Sequence, residues 1–428
     1  MKYLNKTIAI ASIAILTVSC SKNSNNVVQL KDIKTYLRVQ PDKELIKTQK
    51  NIAFWSRKLE ATPSQFPYKV QLAGLENQLF SKTGSIEHLK NAEYFLLDAI
   101  NKTGHKNSGY LRALAKNYIS QHQFKKALDL LQKAEVNGDK KQETIKMLFD
   151  VNLELGNDET AEAYLRKIEN KRSFDYLIRI AKWQDHIGHL DATISYMEEA
   201  LAVVTEKEYK GLELWCITNL ADYYGHYGDI QKSYEYYLKA LELNPHNYYS
   251  LKKIAWISFS NDRNIQEAKA ILSFLDKNYQ GVDVDLLVYE IALYENNQVE
   301  NSYNSYWSQV QNSAYGDMYN AYNFDIFVHQ KKYEQAYQIA LKEVENRPTV
   351  SSYSMLALAL TYVDKPLVGL EIINTKNVLK SYEPLVLLRV AKVYELNGKA
   401  DKVAPIKQEL LGAYFELGPV KIMEVQKL

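Results

Sequence analysis

The sequence predicts an all-α protein, an α-solenoid of about ten stacked helix-turn-helix repeats over residues 69–417. Three observations carry that expectation. A small side chain recurs at Ala92, Ala127, Ala161, Thr193, Ser233, Ala268, Ser302, Ala336, Gly369 and Val403, at spacings of 35, 34, 32, 40, 35, 34, 34, 33 and 34 residues. A glycine stands a few residues ahead of it at Gly84, Gly156, Gly188, Gly228 and Gly398, where a turn would join two helices. An aromatic stands three residues ahead of it at Phe124 and Tyr333. A fixed period of 20–50 residues is the mark of units that cannot bury their apolar face alone and must stack.

Ahead of the repeats, Lys2 and Lys6 flank the start of an apolar run from Thr7 to Val18, and Ser19 stands immediately before Cys20. That layout resembles a bacterial lipoprotein signal, although Thr17 occupies the place where the signal usually has Leu. A membrane-spanning helix needs roughly 20 apolar residues, and this run is shorter. The resemblance implies that residues 1–19 are removed and that Cys20 is acylated. Each buried methylene contributes about 0.8 kcal/mol, so two or more chains hold stably where one holds marginally. The expected location is the bacterial cell envelope. No acidic cluster of the kind that marks some surface-exported lipoproteins follows Cys20, so the periplasm-facing leaflet of a Gram-negative outer membrane is the expected place. Residues 20–40 then read as a polar tether. Residues 41–68 read as an N-terminal helical cap, a helix around Leu45 to Leu59 being broken by Thr62-Pro63-Ser64-Gln65-Phe66-Pro67.

The clearest repeat runs from Leu214 to Asn247, with the core NLADYYGHYGDIQKSYEYYLKALELNP. Leu220, Ala221 and Tyr224 fall on its first helix, and Ser233, Tyr237 and Ala240 on its second. Gly228 can take the positive φ that closes a helix, and Asp229 can cap the N–H groups of the next. Small residues at 221, 233 and 240 let the helices approach, and Tyr224 and Tyr237 fill the space beside them. Pro245 disfavours α geometry at Asn244 and ends the second helix. This unit closely resembles the tetratricopeptide repeat, whose 34-residue helix-turn-helix carries defined residue sizes at set positions. The resemblance implies a right-handed superhelix with a concave face built from the first helices, and such faces bind partners.

The one long step, Thr193 to Ser233, contains Val204 to Gly211, read as an extended helix or loop. Thr349 to Val363 and Leu385 to Leu396 read as apolar first helices. Gly418-Pro419 and Val420 to Val425 follow the last repeat, so residues 418–428 are expected to cap its open face.

Composition narrows the function. The chain has 53 Lys and Arg against 51 Asp and Glu. Loss of Lys2 and Lys6 with residues 1–19 leaves it neutral, without the basic balance of a nucleic-acid binder. Beyond Cys20, Cys216 is the one remaining cysteine, and a lone thiol on a helix between Trp215 and Ile217 is more often packed than reactive. His186, His189 and Asp191 have metal-like spacing but sit in a repeat turn and read as solvated, with His226 in the equivalent turn of the next unit. Neither GxGxxG nor GxxxxGK[ST] is present. No cofactor, metal or catalytic set is therefore expected, and the protein reads as noncatalytic.

Carrying the family's groove positions onto the 214–247 unit gives Trp215, Thr218, Asp222 and Gly225. The next unit gives Tyr249, Lys252, Trp256 and Phe259. Together these make an aromatic patch with one cation, the residue types enriched in binding hot spots. Earlier repeats offer a mixed-charge surface of Arg112, Lys116, Lys146, Asp150, Asp175, Lys182 and Asp185. The Lys and Asn pattern of the dicarboxylate clamp that some family members use is missing. The expected function is a lipid-anchored scaffold or adaptor gripping a protein or peptide in its groove, similar in layout to lipoprotein subunits of outer-membrane assembly and secretion machines. The alternative is a ligand-capture lipoprotein that holds a glycan or small nutrient for a transporter, with Trp215 and Trp256 stacking on sugar faces.

Overall fold

The computed structural model describes residues 26–38 and 40–428. Its described residues form α-helices and two short 3-10 turns, with no strand among them. Two helices precede the repeats, α1 (Leu30–Ile33) and α2 (Lys43–Ala61). Five antiparallel hairpins follow: α3 and α4 (Phe66–Thr83, Ile86–Lys102), α5 and α6 (Ser108–Ser120, Phe124–Asn137), α7 and α8 (Lys141–Glu154, Asp158–Lys167), α9 and α10 (Phe174–His186, Leu190–Glu206), and α11 and α12 (Lys210–Tyr227, Ile230–Leu243). Five more complete the stack: α13 and α14 (Tyr248–Ser260, Ile265–Asn278), α15 and α16 (Val282–Glu295, Val299–Val310), α17 and α18 (Asn320–His329, Tyr333–Asn346), α19 and α20 (Val350–Tyr362, Pro366–Thr375), and α21 and α22 (Pro384–Leu396, Ala400–Leu410). A final helix, α23 (Tyr414–Lys427), bends at Gly418. The described residues thus form an all-α solenoid of ten hairpins.

The turn chemistry operates as the sequence predicts in the fifth repeat. Gly228 stands at φ +89°, Asp229 accepts from the Lys232 N–H at 3.0 Å, and Asn244 is extended ahead of Pro245. Where the glycine is missing, His122, Arg263, Lys331 and Asp364 take the same left-handed turn, which is why the glycine ladder has gaps. Nine of the ten ruler residues are buried. The exception is Ser302, where α16 is rotated by one residue, so that Tyr303 faces the core and Ser302 is half-buried. The long step after Thr193 is taken up by a 17-residue α10 and an 18-residue α11.

Repeats far apart in sequence also touch. The Gln280 N–H donates to the Thr83 carbonyl at 2.7 Å, Arg347 lies 3.7 Å from Glu154, and Tyr382 packs on Gly188, whose Cβ would come within 2.6 Å of the ring. At a repeat of about 34 residues, these separations place a little under six repeats in one superhelical turn. The hairpin turns of one superhelical turn therefore rest on the connections between repeats of the next.

At the amino end, Asp262 accepts from the Val27 and Val28 N–H groups at 3.1 and 2.9 Å, and the Gln29 N–H donates to the Tyr234 hydroxyl at 3.2 Å. Val28 and Ile33 are buried against α12 and α14. This part of the segment expected to be a polar tether is thus docked. Cys20 and residues 1–19 lie outside the described residues.

Candidate functional site

The first helices line the inside of the solenoid, and α23 crosses that space. Its apolar side anchors it to the last repeat, where Leu417, Ile422 and Val425 pack with Leu387, Leu388 and Leu410. Its first turn reaches further, to α11 and α13. The Phe415 ring lies on Gly225, where a Cβ would come within 2.2 Å of it, and meets His226 edge-on at 5.3 Å. The Phe415 carbonyl accepts from the Trp256 indole N–H at 2.7 Å, Gly418 packs on the Trp256 ring, and Glu416 bonds His226 at 3.2 Å. Residues 414–417, expected to belong to the repeats, therefore fill part of the groove together with Gly418, the first residue of the expected cap.

This corrects four of the predicted groove residues. Gly225 is buried under Phe415. Trp256 is half-buried beneath Gly418, and what stays open of its ring lines an interior cavity shared with Phe415 and Glu416. Phe259 is fully buried, edge-on to Tyr294 at 5.6 Å. The physical reason is that α13 is covered on its concave side as well as its flanks, so nearly its whole circumference is core. Thr218 is also buried.

Trp215 and Tyr249 remain open, each 41% exposed, and Trp215 meets Phe174 edge-on at 6.2 Å. Asp222, half-buried between them, accepts from the Tyr237 hydroxyl at 2.6 Å and from Tyr249, and pairs with Lys253 at 2.8 Å. Burial opposes its ionisation, but the Lys253 charge and these hydrogen bonds prevail and hold its carboxyl below the usual range. Lys252 pairs with Asp283.

In the earlier repeats the predicted cations form a ladder between neighbouring first helices. Arg112 donates to the Asp139 carbonyl at 2.8 Å and the Thr144 hydroxyl at 3.0 Å. Lys146 bridges Glu143 and Asp175 at 2.9 and 2.6 Å. Lys182 pairs with Glu154 at 2.8 Å; burial works against its charge, but Glu154 and Asp150 raise its pKa. Arg179, absent from the sequence reading, bonds Asp150 at 2.8 Å. Lys116 is exposed.

Two cavities flank α23, of about 470 and 330 Å³. Between them lies a charge network that sequence reasoning missed: Arg389, buried, pairs with Asp325 at 3.0 Å, Lys421 lies 3.6 Å from Asp325, and Lys392 pairs with Glu424. Burial raises the Glu290 carboxyl pKa beside this group, whereas Arg389 and Lys421 hold Asp325 low against its burial. The available signal was charge inside an apolar first helix, Glu290 alone in LLVYEIALY and Arg389 with Lys392 in LVLLRVAKVY.

Cys216 is buried, and desolvation, with the nearby Glu213 charge, pushes its thiol up to about 12, which disfavours the thiolate at neutral pH. His186 bonds Asp158 and His189 bonds Gln184, so the two imidazoles are engaged separately. Among the described residues no group of His, Cys, Asp and Glu is placed to hold a metal ion, and no helix is long and apolar enough to cross a membrane.

No protein-family model and no curated protein matches the chain. Among solved structures it is similar to yeast Tom70, at 13% identity over 93% of this chain and 95% of that one, with a TM-score of 0.33. It is also similar to Cut9 in the APC/C hetero-tetramer Cut9–Hcn1, at 14% identity over 94% and 98%, TM-score 0.34. A third is YrrB, a TPR protein with an unusual peptide-binding site, at 20% identity over 46% and 95%, TM-score 0.25.

Proposed function

We propose that this protein is a noncatalytic scaffold that binds a protein or peptide along its inner face and is held to a bacterial envelope membrane by acyl chains on Cys20. The observation that carries the reading is the open edge formed by Trp215 and Tyr249 on neighbouring first helices. Aromatics fixed on rigid helices supply contact area at low entropic cost, and Trp and Tyr are enriched among binding hot spots. The ion-pair ladder of the earlier repeats extends the same face with paired charges, Lys116 standing exposed beside it. A glycan site on paired tryptophans is not favoured, because Gly418 packs on the Trp256 ring and the Phe415 carbonyl takes its indole N–H.

The test is crosslinking of the native protein in its envelope followed by mass spectrometry, repeated with a Trp215→Ala, Tyr249→Ala double variant. Recovery of a defined envelope protein through α11 and α13, lost in the variant at unchanged helical content, is expected. Recovery insensitive to both substitutions would reject this face. Anchoring is tested separately by Cys20→Ala, which should move the protein from the membrane to the soluble fraction.

A further inference from the structure

The first turn of α23 has the form of a plug in a socket. Gly225, His226 and Trp256 make the socket; Phe415 and Glu416 fill it. The fit is specific: an edge-on ring contact at 5.3 Å, a 2.7 Å indole hydrogen bond to the Phe415 carbonyl and a carboxylate on an imidazole. Glycines bracket the plug. Gly412 lies in the turn before α23, and Gly418, at φ +64° and ψ 175°, occupies a backbone region essentially restricted to glycine. Of the residues that tie α23 to the last repeat, Ile422 and Val425 lie beyond the second glycine and Leu417 immediately before it.

The groove around the plug is incompletely filled. The 330 Å³ cavity is lined by socket and plug together, His226, Trp256, Phe415 and Glu416 all facing it. The Arg389 Nε is buried without a hydrogen-bond partner on the opposite side of α23. A helix that merely closed the solenoid would not need a tailored seat 159 to 190 residues back in the chain.

We propose that Phe415–Glu416 is a built-in stand-in for a partner's aromatic–acidic peptide segment, which takes the same socket when the first turn of α23 swings out about Gly412 and Gly418. The inference rests on the groove-binding reading and adds to it the partner's chemistry and the reason the groove is closed at rest. An incoming segment would set an aromatic ring on Gly225, offer its carbonyl to Trp256 and place a carboxylate on His226. The adjoining cavity leaves room for its flanking residues.

The probe is a fluorescein-labelled peptide of residues 412–420, titrated by anisotropy into the full chain. Wild type, with its socket filled, is expected to bind it at least tenfold more weakly than a Phe415→Ala, Glu416→Gln variant, which empties the socket and leaves Ile422 and Val425 in place. Adding Gly225→Ala to that variant should abolish the gain by filling the seat. Equal binding to wild type and the emptied variant, absence of binding to a folded emptied variant, or indifference to Gly225→Ala would each overturn the proposal. Should the emptied variant not fold, hydrogen exchange on wild type decides: amides of 412–418 must exchange faster than those of α22, and equal protection overturns the plug. Loss of native-partner capture in Trp215→Ala, Tyr249→Ala with no effect at the socket would leave the scaffold reading standing and remove this one.

Discussion

Phe415 and Gly225 are 190 residues apart and occupy one another's space: the ring of the first sits where any side chain on the second would go. Gly225→Ala in the wild-type chain therefore pits two effects against each other. Overpacking costs about 1–3 kcal/mol, while replacing a helical glycine offsets about 1 kcal/mol of it. The expected outcome is a small net loss in urea denaturation, together with faster hydrogen exchange confined to residues 414–418. Unchanged exchange there would mean that the ring finds another seat without leaving the groove.

The two remaining interior helix glycines with opposite surroundings make a paired prediction. A Cβ at Gly74 on α3 meets nothing within 4 Å, so Gly74→Ala should stabilise the chain by about 0.5–1 kcal/mol. A Cβ at Gly369 on α20 would come within 2.4 Å of both the Ala357 carbonyl and the Thr361 hydroxyl, and backbone cannot step aside cheaply. Gly369→Ala should destabilise by about 1–3 kcal/mol. Thermal or urea unfolding of both variants checks the opposite signs.

His226 predicts a pH dependence. Burial opposes its protonation, but the hydrogen bond and charge of Glu416 prevail and raise its pKa above 6.5. The carboxyl groups of Asp222, Asp185 and Glu383 face it beside Glu416, and Lys253 faces it as a cation. A group whose folded pKa is raised stabilises fully below its unfolded pKa, and that contribution is lost as pH rises through the folded value. Stability attributable to His226 should thus decline from about pH 6.5 upward. The difference between wild type and His226→Gln, measured from pH 5.5 to 8.5, should shrink with rising pH; a constant difference would contradict it.

The Arg389–Asp325 pair is buried enough that breaking it matters. Removing one partner of a buried pair typically costs about 3–5 kcal/mol, and Lys421 remains near Asp325 to reduce that. Arg389→Met should lose about 3 kcal/mol. Because the two residues share one interaction, a double variant with Asp325→Leu should lose less than the sum of the singles, measurable as a double-mutant cycle in urea.

The repeat architecture was legible because it is written locally. Ala127, Ser233 or Ala336 must be small whatever lies elsewhere, and Asp229 caps a helix four residues long or forty. What was not legible depends on superhelical pitch. Nothing near Gly188 announces that Tyr382 will rest on it, and Gly418-Pro419, a plausible stop, becomes a bend within α23 that sends Phe415 back to Gly225. The groove assignment failed at Phe259 for the same reason. The family register presumes an empty concave side, whereas the run Ile254-Ala255-Trp256-Ile257-Ser258-Phe259, apolar but for one small serine, already suits a helix covered all round.

The docking of Val27 and Val28 on Asp262 sets a limit on altitude. From Cys20 to Asn26 the chain reaches at most about 20 Å when fully extended. If acyl chains sit on Cys20, the α12–α14 flank can rise no further than that from the lipid headgroups, and the solenoid rides close to the bilayer on one fixed side instead of ranging at the end of a twenty-residue leash. A partner would then have to be short, or already at the membrane, or arrive from the flank that faces away.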